Sequence, residues 1–347
     1  MSIKKYQDKG LSGLTNIGNT CFVNSCLSVL SHTYELNDFL DTPKYKNLLR
    51  KKIPDTLLIM EWDNLRKLIW KENCIISPNK FINTLQQVAK IKNMDIFTGY
   101  SQNDIAEFFI FIIDCFHTAL SREIVMNISG NIENEKDKLA VKCFEKIKNM
   151  YSNDYSEIWN LFSAIQLTQI ISLESQEILN IIPEPFFTIN LPIPSNNKTP
   201  SLYDCFNLYV EEERLENENA WFNEETNKKE NVKKEIKFWS FPTIMAIDIK
   251  RFNNNNRKNQ ILVSFPIHNL DLSNYVIGYK NDSYIYDLYG VCNHSGSVMG
   301  GHYTSYIKNA NNKWYMFNDS QVKEVNNINE IVTPKAYCLF YRKKSEI

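Results

Sequence analysis

The chain has 347 residues, of which 43% are hydrophobic and 23% charged, with 39 Lys and Arg against 40 Asp and Glu. This near-neutral balance argues against whole-chain binding to nucleic acid or anionic membranes, and the 10 glycines and 11 prolines exclude collagen-like and Gly/Pro-rich disordered chains. The longest apolar run, Phe108–Ile113, is far shorter than the ~20 residues that span a bilayer, and the first residues lack the apolar core of a secretory signal.

Eight cysteines are spread over the chain, and none forms a C-x-x-C pair. This distribution indicates free thiols in a reducing compartment rather than a disulfide framework, and it makes a compact zinc site unexpected. We therefore expect an intracellular protein of the cytoplasm or nucleus. The Asn/Lys/Ile-rich composition is typical of an AT-rich genome, such as that of a protist or of a virus acting in a host cell.

The first third of the chain, residues 11–120, is predicted to be mainly helical. Apolar residues recur at helical spacing after residues 16–20 and again after residues 101–104. The second helix is expected to start with a capping box, with Ser101 as the N-cap and Asp104 as the acid three residues on. A charged amphipathic helix is predicted over residues 129–150.

From about residue 184 the pattern changes to short alternating or β-branched runs, which predict strands. Residues 210–237 are acidic and then basic, which is typical of an exposed helix or ribbon with solvated charges. The Asn-rich residues 253–260 are predicted to form a mobile loop. Helices first and strands later predict an α+β fold.

Cys21 is expected in the first turn of the helix that follows residues 16–20. The positive end of a helix dipole lowers a thiol pKa, which favours the thiolate nucleophile. Helical geometry places Cys21 near Asn24, Ser25 and Ser28, on the polar face, and places Cys26 among apolar residues. Cys26 is therefore interpreted as a core residue, whereas for Cys21 a nucleophile and a small core residue remain open.

His302 follows a pair of glycines at the start of a predicted strand. The runs around it predict a hairpin in which Tyr306 lies opposite Trp314, and therefore His302 opposite Asn318. Paired residues share a face of the sheet, so Asn318 can orient the imidazole, whereas Asp319 points the other way unless a bulge intervenes. A thiol, an imidazole and an orienting side chain suit covalent acyl transfer, although spacing cannot show that Cys21 reaches His302.

Long motifs in the same order resemble the ubiquitin-specific proteases, a papain-like family of cysteine deubiquitinases. Residues 13–25, GLTNIGNTCFVNS, resemble the cysteine box of that family, and residues 286–322 resemble its histidine box. Residues 100–114 are similar to its glutamine/aspartate segment, with Asn103 where a second Gln is usual. Residues 247–252, 265–275 and 336–342 match further segments, so the resemblance covers about residues 13–342.

The resemblance implies a thiol protease that cleaves the (iso)peptide bond after the C-terminal Gly of ubiquitin. It makes Cys21 the nucleophile, His302 the general base and acid, and Asn318 the residue that orients His302. Asp319 is kept as a second candidate for that third position. The family pattern also gives Asn16 as the side-chain oxyanion donor.

Substrate binding follows from the same resemblance. Asp104 matches an acid that binds the Arg-containing tail of ubiquitin, and it could serve as a helix cap at the same time if each carboxylate oxygen has one role. Gln102, Gly300 and Gly301 are expected to contact the tail. The loops 253–260 and 296–301 would border a narrow tail channel.

The fingers of the family often hold a zinc through two C-x-x-C pairs. The corresponding residues here are Ser172, Ser175, Asn223 and Thr226, whose hydroxyl and amide groups are poor ligands for a structural zinc. The resemblance therefore predicts zinc-free fingers and no cofactor.

The resemblance implies a papain-like α+β fold in a single catalytic domain over residues 11–345, after a tail of residues 1–10. A helical thumb is expected over about 11–160, fingers with adjoining palm strands over 161–245, and a β-rich palm over 246–345. The expected partners are ubiquitin and ubiquitinated proteins, with no nucleic acid or membrane, and the expected state is a monomer. Three alternatives remain open: an inactive ubiquitin-binding module, a protease for another ubiquitin-like protein, and an unrelated thiol acyltransferase.

Overall fold

The computed structural model describes residues 3–99, 101–195, 198–253, 255–298 and 300–344. Residue 100 of the glutamine/aspartate segment, residue 254 of the Asn-rich loop and residue 299 of the histidine box lie outside the described residues. Within them the helices are α1 (Cys21–Ser31), α2 (Tyr34–Leu40), α3 (Pro43–Leu48), α4 (Pro54–Lys71), α5 (Asn79–Ile91), α6 (Ile105–Leu120), α7 (Glu135–Asp154), α8 (Glu157–Phe162) and α9 (Leu202–Tyr209).

Most strands follow the helices, which confirms the predicted α+β class. They are β1 (Gly13–Leu14), β2 (Ile75–Ile76), β3 (Ala164–Ser172), β4 (Ile178–Phe186), β5 (Thr188–Leu191), β6 (Glu213–Leu215), β7 (Trp221–Asn223), β8 (Lys228–Glu230), β9 (Val232–Phe238), β10 (Ile244–Ile249), β11 (Leu270–Asp271), β12 (Ile285–Ser297), β13 (Gly300–Lys308), β14 (Trp314–Asn318), β15 (Gln321–Val325) and β16 (Ala336–Lys343).

The large sheet has the strand order β15-β14-β13-β12-β16-β10-β5, with β11 beside β12. Neighbouring strands in this sheet run antiparallel, except that β10 and β5 run parallel. One apolar core lies between this sheet and the helices of the first half of the chain, and a second core lies on the opposite face, under α9. The sheet is therefore covered on both faces, and α1 packs on one of them.

Helix α1 is buried along its whole length. It packs against β12, β13 and α6. Gly290 of β12 permits this approach, because a Cβ there would lie 2.9 Å from the Cγ1 of Val29. The predicted polar face of α1 is therefore not a solvent face: Asn24, Ser25 and Ser28 are all less than a tenth exposed.

Helix starts differ from the sequence prediction at two places. The N-cap of α6 is Asp104 rather than Ser101, since Asp104 Oδ1 accepts hydrogen bonds from the backbone N–H groups of Ala106 and Glu107. Helix α7 begins later than predicted because Asn134 caps it in a capping box with Asp137.

Residues 210–237 form a ribbon rather than a helix. Strands β6 and β9 join β3 and β4 in a four-stranded sheet, and β7 pairs with β8 in a separate hairpin. None of the helices in the described part of the chain combines the length and the apolar character required to cross a membrane. The division into thumb, fingers and palm stays a prediction.

Candidate functional site

The turn before α1 is held by side-chain hydrogen bonds, chiefly those of Asn16. Asn16 Oδ1 accepts hydrogen bonds from the backbone N–H groups of Gly18 (3.2 Å) and Thr20 (3.1 Å). Gly18 has a φ of 108°, a conformation that glycine adopts without steric cost. This turn places Cys21 at the first position of α1, where it is 1% exposed.

The thiol of Cys21 lies against the backbone of the strand that carries His302. Burial raises the pKa of Cys21 above its ordinary value, a backbone hydrogen bond from Tyr303 acts in the opposite direction, and the negative charge of Asp319 raises it further. The backbone N–H groups of Cys21 and Phe22 at the start of α1 lower this pKa, as expected for a helix N-terminus, but desolvation of the buried thiol outweighs them. The contact with Tyr303 brings the sulfur beside the residue that follows His302.

The predicted partner of His302 is in place. His302 Nε2 lies 2.6 Å from Asn318 Oδ1. An amide oxygen is an acceptor only, so Nε2 carries the proton of this hydrogen bond and Nδ1 of the neutral ring keeps its lone pair. The imidazole is thus held in the tautomer that a general base requires.

The hairpin register that led to Asn318 is wrong by two residues. Tyr306 pairs with Met316 and Lys308 with Trp314, because a hydrogen bond of 2.9 Å from Asn309 N to Lys313 O closes the loop. A shift of two residues leaves every side chain on its predicted face. Asn318 therefore reaches His302 as a diagonal neighbour instead of a directly paired one.

Asp319 does not point away from the site. Strand β14 ends at Asn318, and Asp319 adopts a φ of 48° that turns its carboxylate toward α1. Its Oδ2 accepts a hydrogen bond from Asn16 Nδ2 (3.0 Å), and its Oδ1 accepts one from Asn24 Nδ2 (2.8 Å). Asp319 thus contacts the predicted oxyanion donor, whereas Asn318 contacts the imidazole. Sequence reasoning missed Asn24, although its place one turn after Cys21 was a signal.

Two of the predicted tail-binding residues, Gln102 and Gly301, contact each other. The side-chain amide of Gln102 donates to Gly301 O and accepts from Gly301 N, which joins the segment before α6 to the β12–β13 hairpin. Gly301 leaves no room for a side chain, because a Cβ there would lie 2.3 Å from His294 Nε2 and 2.5 Å from Ser295 O. Gly300 precedes it at the start of β13.

Asp104 has both carboxylate oxygens engaged. Oδ1 caps α6, and Oδ2 accepts a hydrogen bond from the hydroxyl of Tyr337. A second acid missed by the sequence analysis lies nearby: burial, followed by the negative charge of Asp104, raises the pKa of Asp248 to about 7. The signal for Asp248 was an acid inside the apolar strand IMAIDI.

The four finger residues form turns instead of a ligand set. Ser172 Oγ accepts hydrogen bonds from the N–H groups of residues 174 and 175, and Asn223 Oδ1 accepts one from residue 225. Glu230 Oε1 accepts from both Asn223 Nδ2 and Thr226 Oγ1, each at 2.8 Å. Ser175 Oγ accepts from the N–H of residue 177. These groups do not fit a thiolate-bound zinc, and no cluster of three His, Cys, Asp or Glu side chains suited to a metal occurs among the described residues.

A family model described as "Ubiquitin carboxyl-terminal hydrolase" matches residues 12–341. The chain is 32% identical to bovine ubiquitin carboxyl-terminal hydrolase 2 over 349 residues, which cover 97% of this chain and 56% of the relative. It is 30% identical to human ubiquitin carboxyl-terminal hydrolase 21, covering 97% of this chain and 62% of the relative. The chain thus spans a little over half the length of these two curated relatives.

Solved structures share the fold. A Ubp8/Sgf11/Sus1/Sgf73 deubiquitinase module bound to monoubiquitin superposes with a TM-score of 0.75 at 24% identity, covering 100% of this chain and 71% of that chain. The corresponding module bound to ubiquitin aldehyde gives a TM-score of 0.74 at 24% identity, covering 100% and 72%. This likeness supports the papain-like arrangement predicted from the sequence.

Proposed function

Because the chain belongs to the ubiquitin carboxyl-terminal hydrolase family, we propose that it is a cysteine-type deubiquitinase that hydrolyses the bond after the C-terminal glycine of ubiquitin. Membership of this family confirms the resemblance predicted from the sequence motifs. The single observation that supports the activity most is the approach of the Cys21 thiol to the backbone beside His302, which itself is held by Asn318.

The first half of the reaction is acylation. His302 Nδ1 accepts the thiol proton as Cys21 attacks the glycine carbonyl, and Asn318 stabilises the imidazolium through the Nε2–H hydrogen bond. A base is needed here because the buried thiol has a raised pKa. The imidazolium then protonates the leaving amine, which breaks the C–N bond and leaves a thioester on Cys21.

The oxyanion is stabilised by Asn16. Its Nδ2 carries two hydrogens, and the hydrogen bond to Asp319 uses one of them. The other is available to the oxyanion, together with the backbone N–H of Cys21 at the helix N-terminus. Water activated by His302 then hydrolyses the thioester and regenerates the thiol.

The tail of ubiquitin would enter between α6 and the β12–β13 hairpin. Gln102 would exchange its hydrogen bonds with Gly301 for bonds to the tail backbone, and Gly300 with Gly301 would admit only glycines. Asp104 supplies negative charge near this entrance, which suits an arginine in the tail. We propose ubiquitin as the partner and ubiquitinated proteins as substrates of a monomeric enzyme.

The test is a ubiquitin probe with an electrophilic C-terminus, used beside a fluorogenic ubiquitin C-terminal amide. Wild type should form one adduct and hydrolyse the amide, whereas Cys21→Ala should do neither and still bind ubiquitin. Cys74→Ala is the matched control, because Cys74 is the exposed thiol among the eight cysteines, all of which are described. Near-normal turnover by Cys21→Ala would exclude Cys21 as the nucleophile.

The same assay separates the alternative functions. Binding of ubiquitin by wild type without an adduct would indicate an inactive binding module. Faster reaction with a probe built on another Gly-Gly-terminated protein would indicate a protease for a ubiquitin-like modifier. Transfer of the acyl group to an added amine in preference to water would indicate an acyltransferase.

A further inference from the structure

A cavity of about 640 Å³ opens on the face of the large sheet opposite α1. Its lining comes from β12, β13 and β14, from the loop after β10 and from the segment before β16. The lining includes Lys258, Asn293, His302, Thr304, Met316 and Lys335. We name this space the leaving-group cavity.

The cavity touches the imidazole from the side away from the thiol. Side chains alternate along β13, so Tyr303 and Ile307 pack in the core that contains Cys21, whereas Tyr306 packs against the second core. Thr304 lines the cavity with His302. His302 thus lines the cavity on one face of β13, and Cys21 belongs to the core on the other face.

Asn293 gives the cavity a polar wall that is ready for a ligand. It is 3% exposed, yet neither its amide nitrogen nor its amide oxygen has a hydrogen-bond partner in the described structure. The pairing of β12 with β16 is irregular between Cys292 and Asn293, and such irregularities re-aim side chains. A buried amide whose donor and acceptor are both unused can form hydrogen bonds with the C=O and N–H groups of an extended peptide.

The charge of the lining has one sign. Lys258 and Lys335 contribute ammonium groups, and the described residues that line the cavity include no Asp or Glu. Lys258 Nζ donates to His294 O at 2.5 Å and lies 3.0 Å from His294 Nδ1, which fixes it at the rim and leaves a third N–H for a ligand. Lys335 is exposed nearby, and its backbone O accepts a hydrogen bond from the N–H of His294, the residue that Lys258 contacts. A carboxylate suits this rim, whereas a basic side chain does not.

We propose that the leaving-group cavity binds the conjugated protein next to its modified lysine, and that it favours an acidic residue beside that lysine. This inference rests on the proposed function, because the amine that leaves must be protonated by His302 and so must pass on the His302 side of Cys21. The residues flanking the amine then extend into the cavity. Asn293 bonds their backbone, and Lys258 with Lys335 pairs with the acidic side chain.

The experiment uses isopeptide substrates that differ at one position. Ubiquitin is joined through a lysine side chain to short peptides with Glu, Gln or Lys next to that lysine, and kcat/KM is measured for each. Wild type should prefer Glu to Lys by about two- to fivefold at low salt, and the preference should shrink as salt is raised. Lys335→Glu should reverse the ratio, while Lys71→Glu, an exposed charge change at the end of α4, should leave it as in wild type.

Two results would overturn the proposal: equal kcat/KM for the three peptides, or a preference that Lys335→Glu does not change. The ubiquitin C-terminal amide, which has no peptide on the leaving side, separates this failure from a failure of the proposed function. If wild type hydrolyses the amide without discriminating among the peptides, only the cavity assignment is wrong. If wild type does not hydrolyse the amide, the deubiquitinase function itself is wrong.

Discussion

Two adjacent residues at the end of β14 contact different parts of the site. Asn318 bonds the imidazole of His302, whereas Asp319 bonds the amides of Asn16 and Asn24. The backbone changes direction at Asp319, which has a positive φ, so the two neighbouring side chains point to different partners. In the proposed mechanism, Asp319 therefore positions Asn16, the proposed oxyanion donor, and does not substitute for Asn318.

This division predicts a non-additive pair of substitutions. Asn16→Ala should lower kcat by about 10²–10³-fold, the usual effect of losing an oxyanion donor. Asp319→Ala should also lower kcat, because the Asn16 amide loses the acceptor that orients it. The double variant should be no slower than Asn16→Ala alone, since Asp319 acts through Asn16.

The measurement is a double-mutant cycle in kcat on the ubiquitin C-terminal amide, with Tm recorded for each variant. Fully additive losses would show that Asp319 acts on the chemistry by a separate route. Parallel losses of Tm and activity in Asp319→Ala would instead assign it a merely structural role.

Asp248 makes stability depend on pH. Its folded pKa of about 7 lies above the ordinary 3.8, because the carboxyl is buried in β10 and faces the charge of Asp104. Below both values the carboxyl is neutral in the folded and unfolded chain. As pH rises, the unfolded chain ionises first, so the free energy of unfolding falls until pH passes the folded pKa.

Asp248→Asn removes the ionisable carboxyl, and with it the loss of stability as pH rises, while the side chain keeps a similar shape. At pH 8 the variant should have a higher Tm than wild type, with a free energy of unfolding larger by an amount on the order of 1–3 kcal/mol, and at pH 4 the gain should be small. Asp282→Asn is the control, because Asp282 is an exposed acid. An equal gain at both pH values would contradict a raised folded pKa.

At the scale of elements, a hydrogen-bonded hairpin carries two of the residues for which the sequence resemblance predicts zinc-free fingers. Glu230 of β8 joins Asn223 and Thr226, and Thr226 shares one cavity with Ser172 of β3. The turns that would carry ligands are therefore close in space, and their side chains lack thiolates. This arrangement supports the proposal that the fingers keep their shape without zinc.

We expect purified protein to contain no stoichiometric zinc, and a chelator should leave Tm unchanged. A variant with Ser172→Cys, Ser175→Cys, Asn223→Cys and Thr226→Cys should bind about one zinc, because four thiolates meet its tetrahedral preference. Its Tm should then fall on chelation. One tightly held zinc per wild-type chain would refute zinc-free fingers.

For the whole molecule, periodic patterns predicted the order of helices and strands because burial imposes those periods directly. On the β13–β14 hairpin, the predicted register was wrong by two residues, yet each side chain still lies on its predicted face of the sheet. Side chains alternate between the two faces along a strand, so only a shift by an odd number of residues would move them to the other face. Three features depend on contacts between distant residues and left no local pattern: the raised pKa of Cys21, the bonds of Asp319 to Asn16, and the unpartnered amide of Asn293. These could be found only after the chain was folded.

The N-terminal residues, expected to be a tail, connect both halves of the fold. Tyr6 is 3% exposed and stacks on Tyr34 with ring centroids 4.4 Å apart, and its hydroxyl donates to Asp38 at 2.7 Å. Asn309, in the β13–β14 hairpin, donates to Lys9 O at 2.8 Å. The segment thus ties the helical half to the hairpin that carries His302.

Tyr6→Ala should therefore lower Tm by several degrees, because truncating a buried aromatic side chain costs about 3–5 kcal/mol. Tyr6→Phe is the matched variant: it loses only the hydrogen bond to Asp38 and should cost about 1 kcal/mol. Thermal unfolding followed by circular dichroism distinguishes the two. If Tyr6→Ala unfolds at the wild-type temperature, the segment is not part of the cooperative unit, and its contacts with the hairpin cannot help to hold His302 against α1.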